Sequence, residues 1–234
     1  MKVIKGNCSD ERNDMIKAIF MDYTGTMVKE DEPYTRELLG YFLSHSHIHS
    51  PQEALRVVWG KIKELEEECY GETFLKKDEM VDRIFEWCGT YHGLSGDFDY
   101  MHDIWRKTWI HAPLYEDVKP FFETCELPIY VVTNDDLCYI EESLKEKGIQ
   151  PEGIVAAELV RACKPHLEIF EKALEIAGVS PGEVIHIGDS ISSHIVPAKA
   201  VGITPIYLAR NGAAPDGSIR TIRSLDELSG LFQS

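Results

Sequence analysis

Three apolar runs in this chain stop abruptly at side chains that do chemistry. Residues 19–21 lead into Asp22, residues 128–132 into Thr133-Asn134, and residues 184–187 through Gly188 into Asp189. Short apolar runs bounded by turn residues read as fully buried strands. Helical periodicity separates them, and strands alternating with helices predict a mostly parallel sheet with right-handed crossovers. Ligands of such sheets bind beyond the carboxyl ends of the strands. The pattern therefore points to an α/β fold with Asp22, Thr133, Asn134 and Asp189 on one edge. Gly25, between Thr24 and Thr26, allows a sharp turn there and leaves N–H groups free to face an anion.

Taken in order, residues 1–14 read as a polar lead-in, and the first strand covers 17–22. No strand interrupts the next 85 or so residues. Apolar residues at helical spacing predict helices over about 33–49, from Ser50-Pro51 to about Gly71, over 75–87 and over 98–110. The Ser-Pro pair supplies an N-cap and a first-turn proline. Four helices without a strand predict an inserted helical domain at 28–112, with residues 1–27 and 113–234 forming the α/β core. In that second part, helices are predicted at 118–125, 140–147, 165–177, 196–201 and 225–232. Further strands are predicted at 153–157 and 203–209. Gly148 and Gly178 fit helix C-termini.

The chain has 234 residues and a net charge of −16. An acidic surface repels phosphate backbones, which argues against nucleic acid as a partner. No apolar run approaches the length of a membrane span, and none near the N-terminus suits a signal peptide. The six cysteines form no C-x-x-C pair. A cytoplasmic protein with reduced thiols is the expectation.

Asp22 at a strand end suits a nucleophile, a metal ligand or both. Asp22 and Asp189 together would repel unless a cation lay between them, and Mg2+ suits two carboxylates. Lys164, before Pro165 at a predicted helix start, and the Thr133 hydroxyl are placed to hold an anionic group against that metal. This is a layout for phosphoryl transfer.

The residues Asp22-Tyr23-Thr24-Gly25-Thr26, Thr133-Asn134, Lys164-Pro165 and Gly188-Asp189-Ser190 resemble the four motifs of the haloacid dehalogenase (HAD) superfamily, in order. The resemblance covers residues 16 to about 208. It implies a Rossmann-like core with a helical cap inserted after the first motif. It also implies that Asp22 attacks phosphorus to form an aspartyl-phosphate and that Thr133, Asn134 and Lys164 bind phosphate. Mg2+ would be held by Asp22, Asp189 and the backbone carbonyl of Thr24. The expected activity is Mg2+-dependent hydrolysis of a small phosphorylated metabolite.

Two positions depart from the family's phosphatases. Thr24 stands where they carry an aspartate that protonates the leaving group and then activates water, and a Thr hydroxyl is neither acid nor base near neutral pH. His194 stands where they carry an acid near the metal. A phosphonoacetaldehyde hydrolase-like enzyme, with Lys61 or Lys63 forming a Schiff base, is one alternative. A degenerate relative that binds a phosphorylated ligand without efficient turnover is another. Metal-free haloacid dehalogenation fits less well, because Asp189 is retained. The acids at 64 and 66–68 read as a solvated helix face, Trp87, Trp105 and Trp109 as helical core, and Tyr91, His92 and Asp97 as possible substrate-facing residues.

Overall fold

Every strand of the sheet runs parallel, and β1 lies inside it rather than at its rim. The computed structural model describes residues 16–30, 33–210 and 217–228. Along the chain the elements are β1 (Ala18–Met21), α1 (Pro33–His45), α2 (Pro51–Glu68), α3 (Lys77–His92), α4 (Phe98–His111), α5 (Val118–Thr124), β2 (Ile129–Thr133), α6 (Leu137–Lys147), β3 (Gly153–Ala156), α7 (Glu168–Ala177), β4 (Val184–Gly188), α8 (Val196–Ala200), β5 (Thr204–Leu208) and β6 (Thr221–Ile222). The strand order is β3-β2-β1-β4-β5-β6. The chain builds outward from β1 through β2 to β3, then returns to the other side of β1 with β4. That reversal opens a crevice at the carboxyl ends of β1, β2 and β4.

The central strands are buried on both faces, as parallel sheets covered by helices must be. Ile19 and Met21 pack into one apolar layer with Val131, Ile187 and Leu144. Ala18 and Phe20 face the opposite layer with Val132, Phe170 and Val184. Register is set by Met21 opposite both Val131 and Ile187.

Helices α1 to α4 fall between β1 and β2 and bury their own cluster, including Leu38, Phe42, Val58, Ile84 and Met101. The two strands of chain that lead in and out of this segment lie side by side, with Val28 bridged to Leu114 and Lys29 N–H donating to Pro113 O at 2.9 Å.

Several boundaries differ from the sequence expectation for local chemical reasons. Helix α1 stops at His45, because the Ser46 hydroxyl bonds back to Phe42 O and accepts from Ile48 N, replacing the next helical bonds. Helix α2 begins as predicted, with Ser50 Oγ accepting from Glu53 N, but ends at Glu68 rather than Gly71. Helix α3 is shifted to Lys77–His92: Leu75 N–H is used by Cys69 Sγ, and Gly93, at φ +65°, closes the far end. Helix α7 begins at Glu168, not at residue 165, since residues 163–166 form a turn closed by His166 N–H to Cys163 O. A π turn, Ile191–Ile195, precedes α8. The expected 225–232 helix is a 3-10 turn over Leu225–Leu228, and its remainder, like the 1–14 lead-in, lies outside the described residues. Strand β6 escaped sequence reading because two residues carry no periodicity.

Candidate active site

The four motif segments meet at the crevice beside β1. Asp22 follows β1 directly, and its N–H donates to Ile187 O at 3.0 Å, so pairing with β4 fixes where the carboxylate emerges. The residue is 4% exposed. Its Oδ1 accepts from Lys164 Nζ at 2.5 Å, and the same ammonium donates to Val132 O at 2.8 Å. Its Oδ2 is buried with no hydrogen-bond partner. A bare carboxylate oxygen at that depth is costly unless positive charge is brought to it.

Asn134 holds Lys164 in place through the backbone. Its amide donates to Lys164 O at 3.1 Å and accepts from Lys164 N–H at 2.7 Å. A 30-residue connection is thereby pinned so that a buried lysine reaches across to the neighbouring strand end. The residue predicted to grip an anion thus spends its amide on positioning the lysine.

Asp189 follows β4 and approaches the turn after β1. Gly25 has φ +81°, and a Cβ there would collide with the Asp189 carboxylate. Glycine therefore meets both a backbone and a steric requirement. Burial, together with the charges of Asp22 and Glu30, pushes the Asp189 carboxyl up to about 8. Glu30 is raised as well, by burial and then by Asp22 and Asp135. The site holds more carboxylates than Lys164 can neutralise.

His194 enters from the π turn. Its Nε2 lies 3.8 Å from Asp22 Oδ2 and 3.6 Å from Asp189 Oδ1, and its Nδ1 is 3.3 Å from His186 Nε2. Burial and the nearby Lys164 charge hold its pKa well below the usual imidazole range, so the ring is neutral. Gly188 makes this approach possible, since a Cβ there would meet the His194 ring at 2.6 Å. Asp22, Asp189 and His194 each offer a ligand atom, and these atoms lie within 4.8 Å of one another. Among the described residues this is the one cluster of that kind.

Thr24 and Thr133 do not stand free. Both hydroxyls donate to Asp135 Oδ2, each at 3.0 Å, and the Asp135 N–H returns to Thr133 Oγ1. A cavity of about 470 Å³ extends from these residues into the helical segment, where Trp59, Lys63, Met80, Ile84, Trp105 and Trp109 line it.

Three residues at this site were not legible from spacing. Lys77, at the start of α3, is buried between Glu66 Oε1 (2.6 Å) and Asp135 Oδ1 (3.7 Å). Burial alone would lower its pKa, but Glu66 and Asp135 more than compensate and hold it protonated. Glu66 therefore does not belong to a solvated face, and Asp135 belongs to the site although it follows the recognised Thr133-Asn134 pair. Of the two candidate Schiff-base lysines, Lys63 lines the cavity. Lys61 instead bonds Glu64 at 2.6 Å and lies over the Trp87 ring. Tyr91 is 69% exposed and away from the cavity lining.

A parallel α/β sheet that gathers a buried carboxylate, a second acid and a buried lysine beyond adjacent strand ends has the layout of a hydrolase site. The chain belongs to the haloacid dehalogenase-like hydrolases, whose profile matches residues 16–202. It is 25% identical over 238 residues to the N-acylneuraminate-9-phosphatase of Homo sapiens, covering 94% of each chain. It is likewise 25% identical over 234 residues to the glyceraldehyde 3-phosphate phosphatase of Methanocaldococcus jannaschii, covering 94% of this chain and 98% of that one. The crystal structure of a HAD phosphatase from Thermococcus onnurineus superposes with a TM-score of 0.64 at 23% identity, over 91% of this chain and 96% of that chain. With phosphatases among its full-length relatives, the protein is a phosphatase-like hydrolase. No described helix is long and apolar enough to cross a membrane.

Proposed function

We propose that the protein is a cytoplasmic, Mg2+-dependent phosphatase that hydrolyses a small phosphorylated metabolite through phosphorylation of Asp22. In this reading residues 28–112 act as a cap over a core formed by 1–27 and 113–234. The observation that carries it is the buried Asp22 carboxylate, with Oδ1 on Lys164 and Oδ2 unpartnered beside Asp189 and His194.

The donor set fits a hard divalent cation. Two carboxylates face one another, one oxygen of Asp22 has no proton donor, and burial, with the Asp22 and Glu30 charges behind it, raises the Asp189 carboxyl in a way that a bound cation would oppose. Asp22, Asp189 and the Thr24 backbone carbonyl would hold Mg2+, which prefers oxygen and retains waters. Bound there, the ion supplies neutralisation of the carboxylates and of the phosphate oxygens.

The chain's own residues do the rest. Lys164 keeps the Asp22 carboxylate oriented, and the third N–H of its ammonium is left to donate to the incoming phosphate. On phosphate binding, the Thr133 hydroxyl turns from Asp135 to a phosphate oxygen. Asn134 maintains the Lys164 backbone throughout. The aromatic and aliphatic wall from Trp59, Met80 and Trp105 excludes water and receives the leaving group, as small-molecule pockets of this size do.

Steady-state assays with phosphomonoesters, phosphonoacetaldehyde and haloacids, each with and without Mg2+, test the reading. Mg2+-dependent phosphate release from esters is the expected result. Aldehyde release from phosphonoacetaldehyde, or halide release without metal, would overturn it. Ligand binding with no product from any compound would leave the non-turnover alternative in its place. The placement of Lys61 on Glu64 and the Trp87 ring weighs against a Schiff base at that residue and leaves Lys63, which lines the cavity, as the lysine such a mechanism would use.

A further inference from the structure

The family's acid/base position is filled by Thr24, yet the Thr24 side chain is not directed into empty space. Its hydroxyl donates to Asp135 Oδ2 at 3.0 Å, and Asp135 is 7% exposed while lining the same cavity as Asp22. The geometry points to Asp135 as the proton acceptor behind Thr24: we propose that it restores, one hydrogen bond further back, the base that residue 24 lacks. The proposal rests on the reading of Asp22 as the phosphorylated residue.

A hydroxyl has one proton and two acceptor lone pairs. With its proton committed to Asp135, Thr24 Oγ1 presents lone pairs to the cavity and can accept from a water. In the second half of the reaction that water attacks phosphorus. The new O–P bond forms as the bond between phosphorus and the Asp22 oxygen breaks, and that electron pair returns to the Asp22 carboxylate. The water proton passes to Thr24 Oγ1 as the Thr24 proton passes to Asp135 Oδ2. The products are the Asp22 carboxylate, hydrogen phosphate and a protonated Asp135, which then loses its proton to solvent.

Two features favour Asp135 over the other acids of the cavity. Glu66 bonds Lys77 at 2.6 Å and neither threonine, whereas Asp135, although its Oδ1 also lies 3.7 Å from Lys77, keeps Oδ2 on the Thr24 hydroxyl. Glu30 has no bond to Thr24, whereas Asp135 is tied to both residue 24 and residue 133. Withdrawal of the Thr133 hydroxyl to bind phosphate would leave Asp135 Oδ2 with Thr24 as its hydroxyl donor. The relay is then set in the state that needs it.

Rapid-quench kinetics with p-nitrophenyl phosphate and Mg2+ separate the two half-reactions, with the phosphoenzyme located by mass spectrometry. Asp135→Asn keeps an acceptor oxygen for both hydroxyls but removes the base. It should leave the rate of Asp22 phosphorylation within a few fold and prolong the phosphoenzyme at least about tenfold. Thr24→Val should slow breakdown to a similar extent, and the double variant should be no slower than either. Thr24→Asp placed in the Asp135→Asn background should restore breakdown, which a merely structural role of Asp135 would not allow. Unchanged breakdown in folded Asp135→Asn, or fully additive losses in the double variant, would overturn the relay while leaving Asp22 as nucleophile. Turnover without a phosphoenzyme on Asp22 in any variant would instead overturn the functional reading, and the relay with it.

Discussion

The strand edge and the helical segment contribute to one cavity in different ways. At the edge, Asp22, Lys164 and Thr133 are each at most 4% exposed, and their positions follow from parallel pairing and from backbone bonds such as Asp22 N–H to Ile187 O. The helices contribute mainly area: Trp59, Met80, Ile84 and Trp105 present apolar surface, with Lys63 among them. Reacting groups need fixed geometry, which a sheet provides, whereas a leaving group needs a matching surface, which helices can vary without moving the sheet. The two regions are joined by polar contacts at the start of α3. Lys77 N–H reaches both Asp136 carboxylate oxygens at 3.2 Å, and Lys77 Nζ lies between Glu66 and Asp135. Arg106 and Tyr139 converge on Asp78 beside them.

If chemistry belongs to the edge, the largest effect should come from Asp22→Asn. Loss of the nucleophile is expected to lower kcat by more than about 10⁴-fold, with KM little changed. Residual turnover above a hundredth of wild type would break the division between the two regions at once.

Lys77→Met probes their junction. It leaves Glu66 and Asp135 facing one another without a cation, and removal of one partner of a buried pair costs on the order of 3–5 kcal/mol. Chemical denaturation should show a loss of that order, and Lys77→Met/Glu66→Gln should recover part of it. A loss below about 1 kcal/mol would mean that apolar packing, not this pair, holds the segment to the sheet.

Asp189 gives a pH-dependent test of the edge. Without a divalent cation its carboxyl titrates at about 8 in the fold, against about 3.9 in an unfolded chain. Between those values the folded state carries the extra proton, so this group makes stability fall as pH rises through the window. Cation binding must displace the proton. Mg2+ affinity should therefore rise with pH up to about 8. Calorimetry at pH 6.5 in two buffers of different ionisation enthalpy should register close to one proton released. Identical heats in both buffers would remove Asp189 from the cation site.

The smallest change is expected at the exposed wall. Lys63→Ala should raise KM about two- to fivefold and leave kcat unaltered, as loss of uniform binding does. An effect confined to kcat would move Lys63 from the wall to the chemistry and revive a Schiff-base role, which borohydride trapping with phosphonoacetaldehyde would then detect.

The strand ends were legible in the sequence because each depends on local order: an apolar run, then a polar residue at the position where the strand stops. That sufficed to place Asp22, Thr133, Asn134 and Asp189 at one edge of an α/β sheet, while Lys164 was placed by the helix start predicted at Pro165 and the superfamily by the resemblance of the four motifs. Helix limits were less legible, since side-chain bonds such as Ser46 to Phe42 O compete with the helix in ways that periodicity does not register. The role of Asn134 was only partly legible, because its partner is the backbone of a residue 30 positions away.

What the sequence determined by itself was the sheet, its reacting edge and the two departures at Thr24 and His194. Tertiary structure alone decided what surrounds them. Lys77, Glu66 and Asp135 lie on three separate elements, and their charges stand at ordinary intervals on a helix or loop until packing removes water from between them. Burial then turns them into a linked set, because the interaction of charges depends on distance and local dielectric, neither of which is written in residue spacing. Thr24 follows the same rule: it reads as a missing carboxylate along the chain, and only the fold places Asp135 one hydrogen bond behind it.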